Sequence, residues 1–330
     1  MNLIAMLPGT NMRRQIFRDE HLEQLSQWGT VRLNERDENP DKAQVMEMIR
    51  GARIAITSWG CPPIDRDVLN CAPELQLIVH AAGTVKGIVT PDVIERGIRV
   101  SSANDALGVG VAETALGLTI ASLKNIWELA SNTRQGKWNE GKSRVRELYE
   151  VTIGVVGAGK AGRHFIRLLR NFDVRIVVYD PYLDEQEAIG LGAERVELER
   201  LLRESDVVSI HAPSIPSTYR MFNRETFALM KDDAVLINTA RGSLIDEDDL
   251  VNELRKGRFI ACIDVTDPEP PRPDHPFREL PNCILIPHIA GAVNNGKYRI
   301  GKYVVEEVRR FVTGQPMDGE VNLGKLHIIA

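Results

Sequence analysis

Residues 151–180 read VTIGVVGAGKAGRHFIRLLRNFDVRIVVYD, and no other stretch constrains the fold so tightly. An apolar strand runs directly into Gly157-x-Gly159-x-x-Gly162, a helical pattern follows, and a second apolar strand ends at Asp180. The first glycine permits a tight turn, the second lets a diphosphate approach the backbone, and the third lets the helix pack close to the sheet. Lys160 and Ala161 open that helix, whose first N–H groups face a phosphate. A carboxylate at the end of the second strand can accept from both hydroxyls of a ribose. An S-adenosylmethionine site or a purely structural glycine turn would use the same glycines. The order strand, turn, helix, strand, acid favours a dinucleotide. Gly154–Lys160 also fits the start of a nucleoside-triphosphate loop, G-x-x-x-x-G-K. Ala161 stands where the Mg²⁺-binding Ser or Thr is required, so that reading is rejected.

Asp180 also selects the nicotinamide dinucleotide. A carboxylate there repels a 2′-phosphate, and no Arg or Lys follows in PYLDEQEAIG to neutralise one. NAD is therefore expected over NADP.

Around this unit, short apolar runs alternate with amphipathic stretches. Candidate strands are Leu3–Leu7, Arg53–Thr57, Leu77–His80, Thr152–Val156, Arg175–Tyr179, Val207–His211, Ala234–Asn238, Phe259–Val265 and Ile284–Pro287. Near-continuous apolar strands separated by helices predict parallel sheets covered on both faces, an α/β fold. The rhythm runs twice, once before residue 102 and once after 150, and 330 residues give room for two domains. Residues 106–137 carry a long helical pattern, either a bridge between domains or one more surface helix. Asn223 and Asp246 stand as N-caps before RETFALMK and EDDLVNELRKG, and Gly257 stops the second helix. Five prolines make 267–276 an irregular loop, and 296–313 is an amphipathic final helix.

A net charge of −5 gives no reason to expect nucleic acid or an anionic membrane as partner. Cys61, Cys71, Cys262 and Cys283 form no C-x-x-C pair, so no metal site is expected, and scattered thiols suit a cytoplasmic protein. The opening MNLIAMLPGT lacks the basic region and apolar length of a signal peptide.

Three further segments place polar residues at strand ends: Asn238-Thr-Ala-Arg241-Gly-Ser, Asp264-Val-Thr-Asp-Pro-Glu269-Pro, and Pro287-His288-Ile-Ala-Gly291. Singly, Arg241 reads as a surface ion pair, Glu269 as a solvated loop acid and His288 as a structural histidine. In an open α/β sheet, however, ligands bind beyond the carboxyl ends of strands, where all three could converge.

Together these segments resemble the D-isomer-specific 2-hydroxyacid dehydrogenase family. The resemblance runs through VAE at 111–113, the glycine turn, HAPSIPST at 211–218, LMK at 229–231, NTARGSLIDEDDL at 238–250, DVTDPEP at 264–270, HPF at 275–277 and PHIAG at 287–291. It implies hydride transfer between NAD(H) and a 2-hydroxy acid/2-oxo acid pair. By resemblance, Arg241 clamps the substrate, His288 is the acid/base and Glu269 holds His288. Asp264 lies near the nicotinamide amide, while His211, Ala212, Pro213, Thr218, Thr239, Ala240 and Gly291 line the cofactor. It also implies two doubly wound parallel-sheet domains, a Rossmann coenzyme domain (103–293) inserted into a flavodoxin-like substrate domain (1–102 and 294–330). The active cleft would lie between them, and 106–150 would form a homodimer arm. With no residues past 330, a long, feedback-regulated phosphoglycerate dehydrogenase is not expected; nor is a formate-type enzyme, since Ile rather than Gln follows His288.

The substrate loop, LIVHAAGTVKGIVT at 77–90, departs from the pattern. His80 replaces an arginine, and Lys86-Gly87 replaces an Asp-Asn pair. Ala82, Gly83 and Thr84 can still offer backbone N–H groups to a carboxylate. Lys86 either faces substrate or is solvated at a helix start, and Trp59 either lines the cleft or packs in the core. A non-enzymatic NAD-sensing corepressor of the same fold would keep the same Arg, Glu and His; it would also be expected to carry long low-complexity tails, which are not found here.

The charge at Asp180 makes a direct prediction. NADH should support turnover better than NADPH when both are compared at 340 nm with one 2-oxo acid, and equal or better turnover with NADPH would refute the role of Asp180.

Overall fold

The structure, a computed structural model, describes residues 2–326 and 328. Residues 2–107 with 292–326 form one compact unit, and 108–291 form the other. The change of unit falls at 107/108 rather than 102/103 because Ala103 and Leu107 still pack with Met6, Val79 and Ile300; Ala292 joins the same cluster. Residues 327, 329 and 330 of the expected substrate-domain tail lie outside the described residues.

In the first unit, β1 (Leu3–Met6), β2 (Thr30–Leu33), β3 (Ile54–Thr57), β4 (Leu77–His80) and β5 (Arg99–Ser102) form a parallel sheet ordered 2-1-3-4-5. Side chains alternate between two cores. Ala5, Ala55 and Ile78 face one side, and Ile4, Met6, Ile54, Ile56, Leu77 and Val79 face the other. Burial of both faces explains why these strands read as unbroken apolar runs. The final helix, Lys297–Val312, returns to this sheet with Ile300, Val304 and Val308.

In the second unit, β6 (Tyr149–Val156), β7 (Asp173–Tyr179), β8 (Glu194–Arg195), β9 (Val207–Ile210), β10 (Val235–Asn238), β11 (Ile260–Ile263) and β12 (Cys283–Leu285) form a parallel sheet ordered 12-11-10-9-6-7-8. The order reverses between β6 and β9. This is the switch point of a doubly wound sheet, where the strand ends on either side diverge and leave a crevice. Asn223 and Asp246 cap their helices as expected, each side chain accepting from backbone N–H groups of the first turn.

Two expectations change. The strands β2, β5 and β8 carry no apolar run in TVRL, RVSS and ER: β2 is half-exposed, β8 has two residues, and β5 is buried but ends in Ser101 and Ser102, with Ser101 Oγ donating to the buried Glu307 carboxylate. The helical pattern 106–137 is two helices, Asn104–Leu123 and Ile126–Arg134, broken at Asn125. Asn125 adopts φ 51°, a left-handed conformation that asparagine tolerates better than most residues, and its side chain donates to Glu128 and to the Gly141 carbonyl.

Candidate active site

At the switch point, the glycine turn sits where side chains cannot. Gly157 has φ 98°, and a Cβ on it would stand 2.6 Å from Ala212 N. On Gly162 a Cβ would stand 2.1 Å from Gly157 O, which shows how closely the helix Lys160–Leu169 approaches the turn. Gly159 differs: a Cβ there meets nothing within 4 Å, so its surface is open. It is the N-cap of that helix and provides no side-chain cap. Asp180, one residue past β7, accepts from Ala158 N–H and Tyr182 N–H, each at 2.8 Å. Each oxygen keeps a lone pair for a hydroxyl.

Beyond β9 and β10, two buried polar atoms have no hydrogen-bond partner, His211 Nδ1 and Thr239 Oγ1. Burial lowers the His211 pKa to about 4, so the ring is neutral at physiological pH; its Nε2 meets Ser209 Oγ at 2.9 Å. Thr218 Oγ1 donates to Pro213 O at 2.6 Å and closes the 211–218 turn, which also carries Ala212. Lys160 is exposed and Ala161 half-buried at the start of the helix; Gly291 lies beside Gly110.

The three polar candidates follow adjacent strands. β10 leads to Arg241, β11 to Asp264 and Glu269, and β12 to His288. Arg241 is exposed and donates back to Ala240 O at 2.6 Å. Its turn is closed by buried Asn238, which donates to Arg241 O at 2.9 Å and accepts from Ala240 N–H at 3.0 Å. His288 Nδ1 lies 2.5 Å from Glu269 Oε1, with the two side chains 47% and 41% exposed. His288 has φ 48°, an uncommon conformation for a residue with a Cβ. Asp264 holds it there, accepting from Ile289 N–H at 2.7 Å and Ala290 N–H at 3.0 Å. Burial raises the Asp264 pKa, and those two N–H groups draw it back.

The loop after β4 belongs to the first unit. His80 is buried, its pKa lowered to about 4 by desolvation, and it bonds Thr57 Oγ1 at 2.9 Å and the Thr84 backbone. Ala82 is buried, Gly83 half-buried, and Thr84 and Lys86 exposed; Lys86 N–H reaches Thr84 Oγ1 at 3.4 Å. Trp59 is 37% exposed.

Sequence reasoning passed over Asn238 and Ser209. Both act on neighbouring protein groups; the signal available for Asn238 was a polar residue ending an otherwise apolar buried strand.

The sequence model of the family described as D-isomer specific 2-hydroxyacid dehydrogenase, NAD binding domain, matches residues 116–290. The chain belongs to that family. It is 33% identical over 310 residues to a glyoxylate reductase of Korarchaeum cryptofilum, covering 92% of this chain and 91% of that one. It is 33% identical over 284 residues to a D-3-phosphoglycerate dehydrogenase of Methanocaldococcus jannaschii, covering 86% of this chain and 54% of that one. The chain thus spans about half the length of the phosphoglycerate dehydrogenases it matches. A solved phosphoglycerate oxidoreductase from Rhizobium etli, 26% identical, superposes with a TM-score of 0.83 over 97% of this chain and 98% of that one. Residues 116–290 of this dehydrogenase-family chain are its NAD binding domain, and their structure fits the dinucleotide. Gly159 leaves room for a diphosphate, Asp180 has acceptors for a ribose, and the buried Thr239 Oγ1 has hydrogen-bonding capacity to spare.

Two substitutions separate the fold of this turn from its binding. Gly159→Ala should leave the melting temperature unchanged yet weaken NADH binding at least about tenfold by fluorescence titration, because a methyl group there fills the diphosphate's approach. Gly162→Ala should lower the melting temperature, since its Cβ strikes Gly157 O. Native NADH affinity in Gly159→Ala would remove the turn from the cofactor site.

Proposed function

We propose that this chain is an NAD-dependent dehydrogenase interconverting 2-oxo acids and D-2-hydroxy acids, with Arg241, Glu269 and His288 as its reacting set. The observation that carries this reading is the 2.5 Å bond between His288 and Glu269, displayed with Arg241 past the ends of three neighbouring strands. The cofactor supplies or accepts the hydride at the substrate's C2. Arg241 matches a carboxylate with two parallel N–H···O bonds and so presents the 2-oxo group in one orientation. Because Glu269 takes the Nδ1 proton, His288 Nε2 is the atom that gives a proton to the carbonyl oxygen and takes it back in the reverse direction. Glu269 fixes the ring and offsets the charge of imidazolium.

We assign the cofactor walls to His211–Pro213, Thr218, Thr239, Ala240 and Gly291, with Lys160 and Ala161 at the diphosphate. Asp264 supports His288 and lies near the nicotinamide amide. In the first unit, Ala82, Gly83 and Thr84 have backbone N–H groups suited to a carboxylate, and Lys86 carries a charge suited to a second anionic group. The relatives' names make glyoxylate the first substrate to try. A cytoplasmic setting, for which the four free cysteines argue, goes with this reading.

With a panel of 2-oxo acids and NADH, Arg241→Ala should raise KM and lower kcat, since orientation is lost together with charge. His288→Asn should lower kcat by about 10²–10⁴ with NADH still bound. NADH binding without turnover of any 2-oxo acid by the unmodified protein would favour a cofactor-sensing role instead.

The same reading includes a homodimer through Asn104–Leu123, Ile126–Arg134 and the segment to 150. The first helix is long and apolar enough to cross a bilayer by length and composition, yet 44% of that stretch is buried. Ile120, Ile126, Trp127 and Trp138 are exposed, and a twofold copy would cover apolar side chains of this segment. Sedimentation equilibrium should return twice the chain mass; the single-chain mass at micromolar concentration would refute the dimer.

A further inference from the structure

A second carboxylate–imidazole pair lies in the same unit and takes no part in the chemistry above. Glu247 opens the helix Glu247–Arg255, and His275 precedes Pro276 and Phe277. Their side chains are 14% and 10% exposed, with Glu247 Oε2 3.0 Å from His275 Nε2. The other ring nitrogen fixes the tautomer. Phe277 N–H donates to His275 Nδ1 at 3.3 Å, so Nε2 carries the proton and donates it to Glu247. Glu247 Oε1 accepts from Asp267 N–H at 2.9 Å. One carboxylate therefore ties the helix that follows the Arg241 turn to both ends of the loop that carries Glu269.

The joint has little slack. A Cβ on Gly242 would stand 2.1 Å from Thr266 C and 2.6 Å from Asp267 N, so the Arg241 turn already rests on the backbone leading to Glu269. Burial raises the Glu247 pKa, while Asp267 N–H and His275 draw it back. A buried carboxylate is costly unless its oxygens are bonded, so the loop is held where both donors reach it.

We propose that Glu247 and His275 are positioning residues for Glu269, fixing the loop so that Glu269 meets His288 Nδ1. The inference rests on Glu269 and His288 being the reacting pair.

A double-mutant cycle tests it, with kcat, KM and NADH affinity measured for Glu247→Gln, Glu269→Gln and the double variant. Gln at 247 keeps the size and can still accept from Asp267 N–H, but it sets an N–H against His275 Nε2–H. Glu247→Gln should lower kcat on the order of 10-fold to 100-fold with NADH affinity unchanged, and should add little in the Glu269→Gln background. An equal loss in both backgrounds, or no loss at all, would overturn the inference and leave the catalytic reading intact. Unchanged kcat in Glu269→Gln alone would overturn both. If Glu247→Gln does not fold, His275→Gln and His275→Met decide. The first keeps an N–H for Glu247 and should retain most of kcat, the second keeps only bulk and should lose it, and equal kcat in the two would refute the positioning role.

Discussion

Asp264 is almost wholly buried, and a charge in that position must be bonded or be lost. Its side chain takes the N–H groups of Ile289 and Ala290, its carbonyl takes that of His288, and its own N–H reaches back to Asn238 O. One residue thereby joins the ends of three strands. The left-handed backbone of His288 costs about 1–2 kcal/mol for a residue with a Cβ, and it persists because the surrounding bonds over-determine it. The buried charge and the strained backbone support each other: each supplies what the other lacks.

That coupling explains which parts of the site were legible in the sequence. Arg241, Glu269 and His288 stand out because their chemistry is rare at strand ends, and the glycine turn stands out because each glycine answers a separate steric demand. The positive φ of His288 is invisible in a linear reading, since nothing in PHIAG requires it. Glu247 and His275 leave no signal for a related reason: they bond groups 20 or more residues away, so their partners appear only once the chain is folded, whereas the Asn238 side chain closes a local turn through Ala240 and Arg241.

The fold was legible to the same depth. Central strands are buried on two faces and leave continuous Val and Ile runs, whereas β2 and β8 lie at sheet margins and β5 is half serine, and these leave almost no trace. The break at Asn125 was hidden because the residues around it are good helix formers; the side-chain bonds to Glu128 and Gly141 outweigh that local preference.

Those faint edges have a consequence for how the chain behaves in a crowded solution. An open parallel sheet ends in unpaired N–H and C=O groups that can template another strand. Here β8 offers two residues, and Glu194 on it is bridged by Arg175 and Arg200. β12 offers three, with Pro281 and Pro287 close on either side to stop its extension. In the first unit, the tail strand-pairs with β5 through Ser102 N–H to Gly319 O and Val321 N–H to Val100 O. Edge-to-edge aggregation is thus blocked at these three margins by charge, by proline and by the chain's own terminus. Each safeguard is local, so a single substitution at one margin could expose that edge while leaving the catalytic machinery intact.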